Sequence, residues 1–389
     1  MRENITVTVL MTVYNGGHYL KMAVESVLAQ TYKDFEFLII DDCGTDDSLT
    51  VVKSFDDKRI VIHCNEQNLG QTRSLNVGLK LARGKYVARI DADDIALPHW
   101  LERQVSAAIE NPGDAVISTP AIVIDESNKI KKVSGSPATL EEIILRSLTF
   151  SPINHVGSLL KKEIILDNGG YDENYKTAAD YNLWGKLLRN SVGISSTRDV
   201  LMAIRVHAAS LTITEIDKSG LTEISSIMKK NIDYFTCSGI KEDEADLVCG
   251  ALYQEKVLSD GEFDQAIKVL TRVYSDLSLP GIASKDIINK WLKARRTTAY
   301  LKRIYYFITQ KNYAASRRLS WKGVIVFGPL SAFTILWGVS LLGGMALSHI
   351  PGFYNKILKR KACLQLGIQP NMGIMRVQIK RCLSTTKLF

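Results

Sequence analysis

Two short acidic runs are the part of this chain best suited to chemistry: Asp41-Asp42, and Asp91-Ala92-Asp93-Asp94. Each follows a β-rich run, Phe35 to Ile40 and Tyr86 to Ile90 respectively. Side chains alternate along a strand, so Asp91 and Asp93 at a strand end can point to one side and share a hard divalent cation. Either run taken alone also fits a turn or a helix cap, with Gly44 after the first and Pro98 after the second. Two runs together suit a metal-bridged diphosphate better than capping twice over. Tyr14 stands after the first strand beside small polar residues. Its ring can stack on a nucleobase while Asp41 accepts from the base's imide N–H.

The elements that must carry these residues follow from hydrophobic periodicity. Ile5 to Val13, Phe35 to Ile40, Arg59 to Cys64 and Tyr86 to Ile90 read as strands, and Tyr19 to Gln30, Ser48 to Phe55 and Arg73 to Ala82 read as helices between them. Strands separated by single helices make a mainly parallel Rossmann-like α/β sheet flanked by helices. Ligands of such sheets bind beyond the carboxyl ends of the strands, where both acidic runs fall. The first turn, Thr12-Val13-Tyr14-Asn15-Gly16-Gly17, is not the Gly-x-Gly-x-x-Gly of a dinucleotide site, and the chain has no phosphate-loop motif.

At 389 residues the chain is long enough for two domains. Its net charge of +8 gathers at the C-terminal end, with no Asp or Glu after Asp286. The six cysteines form no Cys-x-x-Cys pair, which excludes the usual zinc-ribbon and redox spacings and fits reduced thiols. Residues 1 to 4 lead straight into a strand with no signal-peptide pattern, so a cytoplasmic location is expected.

Taken in order, Val9-Leu10-Met11-Thr12-Val13-Tyr14-Asn15, Ser26 to Tyr32, Ile39-Ile40-Asp41-Asp42, Asn68-Leu69-Gly70 and Asp91-Ala92-Asp93-Asp94 resemble family 2 glycosyltransferases of the GT-A fold, from about Ile5 to Leu211. The resemblance implies that Thr12, Tyr14 and Asp41 hold the base of a nucleotide-sugar donor, in the first instance a UDP-sugar. Arg73 would lie near the diphosphate, Asp91 near the ribose, and Asp93 on a Mg²⁺ or Mn²⁺ ion. Asp180, in Ala178-Ala179-Asp180-Tyr181-Asn182-Leu183-Trp184, matches the position of the general base. The residue before that base is normally Glu, and here it is Ala179. His155 and Trp184 fall on the acceptor side, while His207 is placed to bind metal or diphosphate and Arg205 to offset phosphate charge. The implied reaction is an inverting transfer of a single sugar to a hydroxyl of a glycan or lipid-linked acceptor, with nucleic acid not among the partners. A processive polysaccharide synthase is the nearest enzymatic alternative, although no Trp follows an Arg as its Gln-x-x-Arg-Trp motif requires. A nucleotidyltransferase lacks its Gly-rich basic loop here. A catalytically silent nucleotide- or glycan-binding protein on the same fold is the alternative that Ala179 favours.

Three regions are therefore expected: a catalytic domain over 1–215, a helical region over 216–320, and an apolar, basic-flanked tail over 321–389. In the helical region, Leu252 to Val257 with Gly261 to Leu270 reads as a helical hairpin. In the tail, Val324 to Leu347 carries no charge and has basic residues on both sides. Peripheral or re-entrant contact with the inner face of a cell membrane through 322–361 is the expectation for that stretch, with a buried helical hairpin as the alternative.

Overall fold

The computed structural model describes residues 6–207, 218–253, 258–277 and 284–310, together with Ser210 and a few residues up to Lys322. Two compact units are distinguished, one reaching Ile227 and the other beginning at Met228.

In the first unit the short apolar runs become parallel strands. They are β1 (Val7–Val13), β2 (Phe35–Asp41), β3 (Ile60–Cys64) and β4 (Tyr86–Asp91), separated by α1 (Leu20–Leu28), α2 (Ser48–Lys53) and α3 (Gln71–Leu81). Strict alternation in β1 decides which helix covers which face. Val7, Val9, Met11 and Val13 share a core with Leu20, Ala23, Val24 and Val27 of α1 and with Trp100 and Leu101 of α4 (Trp100–Glu110). Leu10 points to the other face, where Gly78 of α3 lies so close that an added Cβ would come within 2.3 Å of the leucine's Cδ1. The interleaved order follows from this two-sided burial, because a strand apolar on both faces needs a helix on each.

The main sheet has seven strands in the order β10-β6-β9-β4-β1-β2-β3, where β6 is Asp114–Ser118, β9 is Leu159–Lys161 and β10 is Gly193–Ser196. Only β9 runs antiparallel to its neighbours β4 and β6 among the described pairings of this sheet. That reversal has a functional consequence: it brings the residues that precede β9 to the edge where the parallel strands end. Gly157 makes the turn possible. Its φ is +79°, and a Cβ there would meet Met202 Cγ at 2.4 Å and Thr119 Cγ2 at 2.8 Å, so no other residue fits. Its carbonyl accepts from Trp100 Nε1 at 2.9 Å and Gln104 Nε2 at 2.5 Å, and its N–H donates to the Arg89 carbonyl at 2.8 Å.

A second sheet, absent from the periodicity reading, has the order β5-β11-β7-β8, with β5 Ile95–Ala96, β7 Ala121–Ile124, β8 Ile130–Ser134 and β11 Met202–Arg205. Helices α5 (Leu140–Ser147), α6 (Lys162–Asp167) and α7 (Ala179–Arg189) complete the order up to the helix Lys218–Phe235. The second unit is helical where described: Glu242–Tyr253, Asp260–Ser275 and Lys285–Thr309. Ser259 and Glu262 form a reciprocal capping box at the start of its middle helix. Among the described residues no helix is long and apolar enough to cross a membrane. The apolar stretch Val324 to Leu347 and its flank to residue 361 lie outside the described residues.

Candidate active site

Strand register places the donor-side residues together. Thr12 of β1 lies between Ile40 of β2 and Asp91 of β4, and Val13 pairs with Asp41. Tyr14, immediately beyond β1, is 52 % exposed and available for stacking. Asn15 adopts φ +51°, and its Oδ1 accepts from the Thr45 N–H at 2.7 Å, which ties the turn after β1 to the turn after β2. Asp41 is buried, with its Oδ1 3.4 Å from the Gly44 N–H.

Asp42, next to it, does structural work. Only 3 % exposed, it accepts from Asn65 Nδ2 at 2.7 Å and from the N–H groups of Leu69 and Gly70 at 2.9 Å each. These bonds explain why Asn68-Leu69-Gly70 accompanies Asp41-Asp42: one carboxylate fixes the loop that starts α3 and so aims Gln71 and Arg73. Asp42→Ala removes an acceptor from three donors, of which Asn65 Nδ2 keeps Ser74 Oγ and the Gly70 N–H keeps Asn68 Oδ1. We expect a loss of about 2–3 kcal/mol in urea unfolding, the scale of charged hydrogen bonds removed from a buried site; an unchanged midpoint would contradict the role.

The second acidic run is a true cluster. Asp91, Asp93 and Asp94 each bring a carboxylate oxygen within 4.8 Å of the others. None of the three caps the next helix, because the N-cap of α4 is His99. Asp94 is buried and accepts from the Arg205 N–H at 2.7 Å; burial raises its pKa well above the usual carboxylate value. Burial also raises that of Asp91, against the pull of Arg89. Arg89, two residues earlier on the same face of β4, makes a bidentate pair with Asp91 through both terminal nitrogens. Gln71 Nε2 adds a bond to Asp91 Oδ1 at 3.2 Å. Asp93 remains partly exposed, and its Oδ2 lies 3.0 Å from His207 Nε2.

The chemistry of this donor set fits a divalent cation. Asp91 is neutralised by Arg89 and Asp94 is tied to backbone, whereas Asp93 and His207 bring an oxygen and a nitrogen together at the cluster's open side. Arg205, expected to offset phosphate charge, is engaged by protein acceptors. It is 3 % exposed, and its guanidinium donates to the carbonyls of Asp93 at 3.0 Å and Asp125 at 3.2 Å and to Asn128 Oδ1 at 2.6 Å, while lying 4.4 Å over the Tyr19 ring. Its backbone and side chain hold the acidic cluster in shape. Arg73, by contrast, is well exposed, with Glu173 as its ion-pair partner at 3.2 Å.

On the acceptor side, Asp180 lies in the first turn of α7, two residues after the N-cap Ala178. Ser151 Oγ donates to its Oδ2 at 3.0 Å. A helix N-terminus alone would depress its pKa. Burial instead dominates and raises it, and Arg89 is close enough to pull against that rise. His155 Nε2 is 2.6 Å from Tyr171 Oη, and burial holds the imidazole well below its ordinary pKa, hence neutral. Tyr171 is itself clamped by Asn76, which accepts from its N–H and donates to its carbonyl, both at 2.9 Å. Trp184, expected on the acceptor side, is fully buried and packs edge-on against His155 at 5.8 Å between centroids. It backs the histidine, because α7 directs Leu183, Trp184 and Leu187 into the core. The sequence reading missed Arg89, Gln71 and Ser151. Only Arg89 left a signal, as a lone cation in an otherwise apolar strand.

Asp41, Asp91, Asp93 and Asp94 thus gather at one edge of the main sheet, where its parallel strands end. The model of glycosyl transferase family 2 matches residues 8–172. An uncharacterized glycosyltransferase of Methanocaldococcus jannaschii is 33 % identical over 224 residues, covering 55 % of this chain and 76 % of that protein. One of Rickettsia prowazekii is 30 % identical over 226 residues, covering 56 % and 70 %. The UDP-Glc:alpha-D-GlcNAc-diphosphoundecaprenol beta-1,3-glucosyltransferase WfaP of Escherichia coli is 28 % identical over 234 residues, covering 57 % and 85 %. In fold, the S. aureus protein TarS, residues 1–349 in complex with UDP-GlcNAc, aligns with a TM-score of 0.51 at 18 % identity, covering 81 % of this chain and 90 % of that one. The chain belongs to glycosyl transferase family 2 and is a glycosyltransferase.

Proposed function

We propose that this enzyme moves a single sugar from a uridine diphosphate sugar to a hydroxyl of a lipid-linked glycan, with inversion and with a divalent cation. The observation that carries the proposal is one shared edge. The charge of Asp180 is near enough to raise the pKa of Asp91, and Arg89 pulls on both carboxylates. A donor diphosphate at Asp93 would then share this edge with an acceptor at Asp180, as a direct displacement without a covalent intermediate requires.

Thr12, Tyr14 and Asp41 bind the base, Asp91 lies toward the ribose, and Arg73 swings from Glu173 to the diphosphate. Asp180 takes the proton of the acceptor hydroxyl. The freed oxygen attacks the anomeric carbon, and the bond to the diphosphate breaks with its electron pair leaving on the nucleotide. Proton transfer to a positioned base contributes typically about 10²- to 10⁴-fold. A Mg²⁺ or Mn²⁺ ion held by Asp93 and His207 would neutralise charge on the leaving diphosphate. Ser151 orients Asp180, and Arg205 keeps Asp93 and Asp94 in place. The raised pKa of Asp180 makes it a stronger base than a solvated carboxylate.

The E. coli relative's name supports both a UDP-sugar donor and a lipid diphosphate acceptor. Such an acceptor fits membrane contact through 322–361 at the cytoplasmic face. The test is release of UDP from UDP-glucose and UDP-N-acetylglucosamine with Mn²⁺ and a short-chain prenyl-diphosphate-linked N-acetylglucosamine. Acceptor-stimulated release is expected with one UDP-sugar, and release from no nucleotide sugar in a wider panel would remove the proposal.

A further inference from the structure

We propose that Glu223 is a positioning residue for Asp180, setting the start of the helix that carries the base from a segment more than forty residues downstream. This rests on Asp180 being the base.

Its carboxylate sits in a nest of three consecutive backbone donors. Oε1 accepts from the Lys176 N–H at 2.9 Å, and Oε2 accepts from those of Thr177 and Ala178, also at 2.9 Å. These are the last N–H groups before α7, and the N-cap residue Ala178 has no side chain that can accept a bond from the first turn. Convergent donors of this kind form an anion site, and an ionised acceptor makes roughly twice as strong a bond to them as a neutral one. Ser226, one turn on from Glu223 and on the same helix face, lies 3.5 Å from Tyr175 Oη. The Tyr175 carbonyl accepts from Thr72 Oγ1 at 2.9 Å. The segment leading into α7 is therefore held from α3 on one side and from Glu223 on the other.

Asp180 follows Ala178 by two residues, so any relaxation of this segment moves its carboxylate. Misplacement of a reacting group by about 1 Å can cost on the order of 10²-fold in rate. Ala179 is buried and offers no acceptor of its own. The carboxylate that organises this turn is thus supplied from outside it.

The test uses the full chain and the UDP-release assay with the prenyl-diphosphate-linked acceptor. Glu223→Ala should lower kcat about 10-fold while donor affinity stays at the parent value, and Glu223→Gln, which keeps one acceptor oxygen, should fall between. In an Asp180→Asn background the Glu223→Ala change should cost nothing further, because the group it positions is gone. An unchanged kcat in both Glu223 variants, or the same fold-loss with and without Asp180, would overturn the proposal. Failure of the base assignment is read separately, from Asp180→Asn alone retaining transfer. Should Glu223→Ala not fold, Glu223→Gln carries the same comparison.

Discussion

Asp180→Asn is expected to lower transfer at least about 10²-fold while leaving donor affinity unchanged. Asparagine keeps the shape and still accepts from Ser151, but it cannot take the acceptor's proton. The parent's pH profile gives a second reading. Burial raises the Asp180 pKa, so the group is lost as a base at a pH above the ordinary carboxylate value of about 4. The acid limb of kcat should therefore fall above pH ~4 and disappear in the variant. Stability should move the other way. A carboxyl whose native pKa is raised binds its proton more tightly when folded, so its ionised form costs stability as pH rises from the unfolded pKa through the native one. At neutral pH Asp180→Asn should thus melt no lower than the parent. A variant that retains most of its rate moves the base elsewhere, with Asp172 and Glu173 next to be tested.

Asp93→Ala carries the second large effect. It removes the exposed carboxylate of the cluster and leaves Asp91 paired with Arg89 and Asp94 bound to the Arg205 backbone, so the fold should persist. The Mn²⁺-dependent rise in melting midpoint produced by UDP in the parent should vanish, because a ligand bound only by the native state stabilises it in proportion to its affinity. His207→Ala should weaken the same shift less severely, since the nitrogen lies 3.0 Å from Asp93 and completes that side of the site. An Asp93→Ala protein that keeps the parent's shift would place the metal, or the diphosphate, away from this cluster.

Much of the site was legible in the sequence for a physical reason. Strands β2 and β4 are largely apolar on both faces and end abruptly in acidic residues, and such residues can only stand at the edge of a covered sheet. Asp41, Asp91 and Asp93 could be placed from that pattern alone. The burial of Trp184 was equally readable, because Leu183, Trp184 and Leu187 recur at helical spacing on the core side of α7. The protein partners of Arg205 were not legible, because a cation beside an acidic motif suggests only a phosphate partner. Its true setting depends on the second sheet, whose strands of two to five residues are too short to give a periodic signal. The direction of β9 is of the same kind, since three residues carry no mark of parallel or antiparallel pairing. The pairing of Arg89 with Asp91 is local and follows from alternation along β4. Glu223 is the opposite case, for its partners lie more than forty residues away and are backbone groups without side-chain identity.

The displacement itself is tested most directly by the anomeric configuration of the product. In the proposed displacement Asp180 acts from the side opposite the diphosphate, so a donor with an α-linked nucleotide should yield a β-linked product. Proton NMR of the isolated product reads this from the coupling at the anomeric position. A β linkage formed by the parent and lost with Asp180→Asn is the predicted result; an α linkage, which requires retention and a different use of these carboxylates, would contradict it.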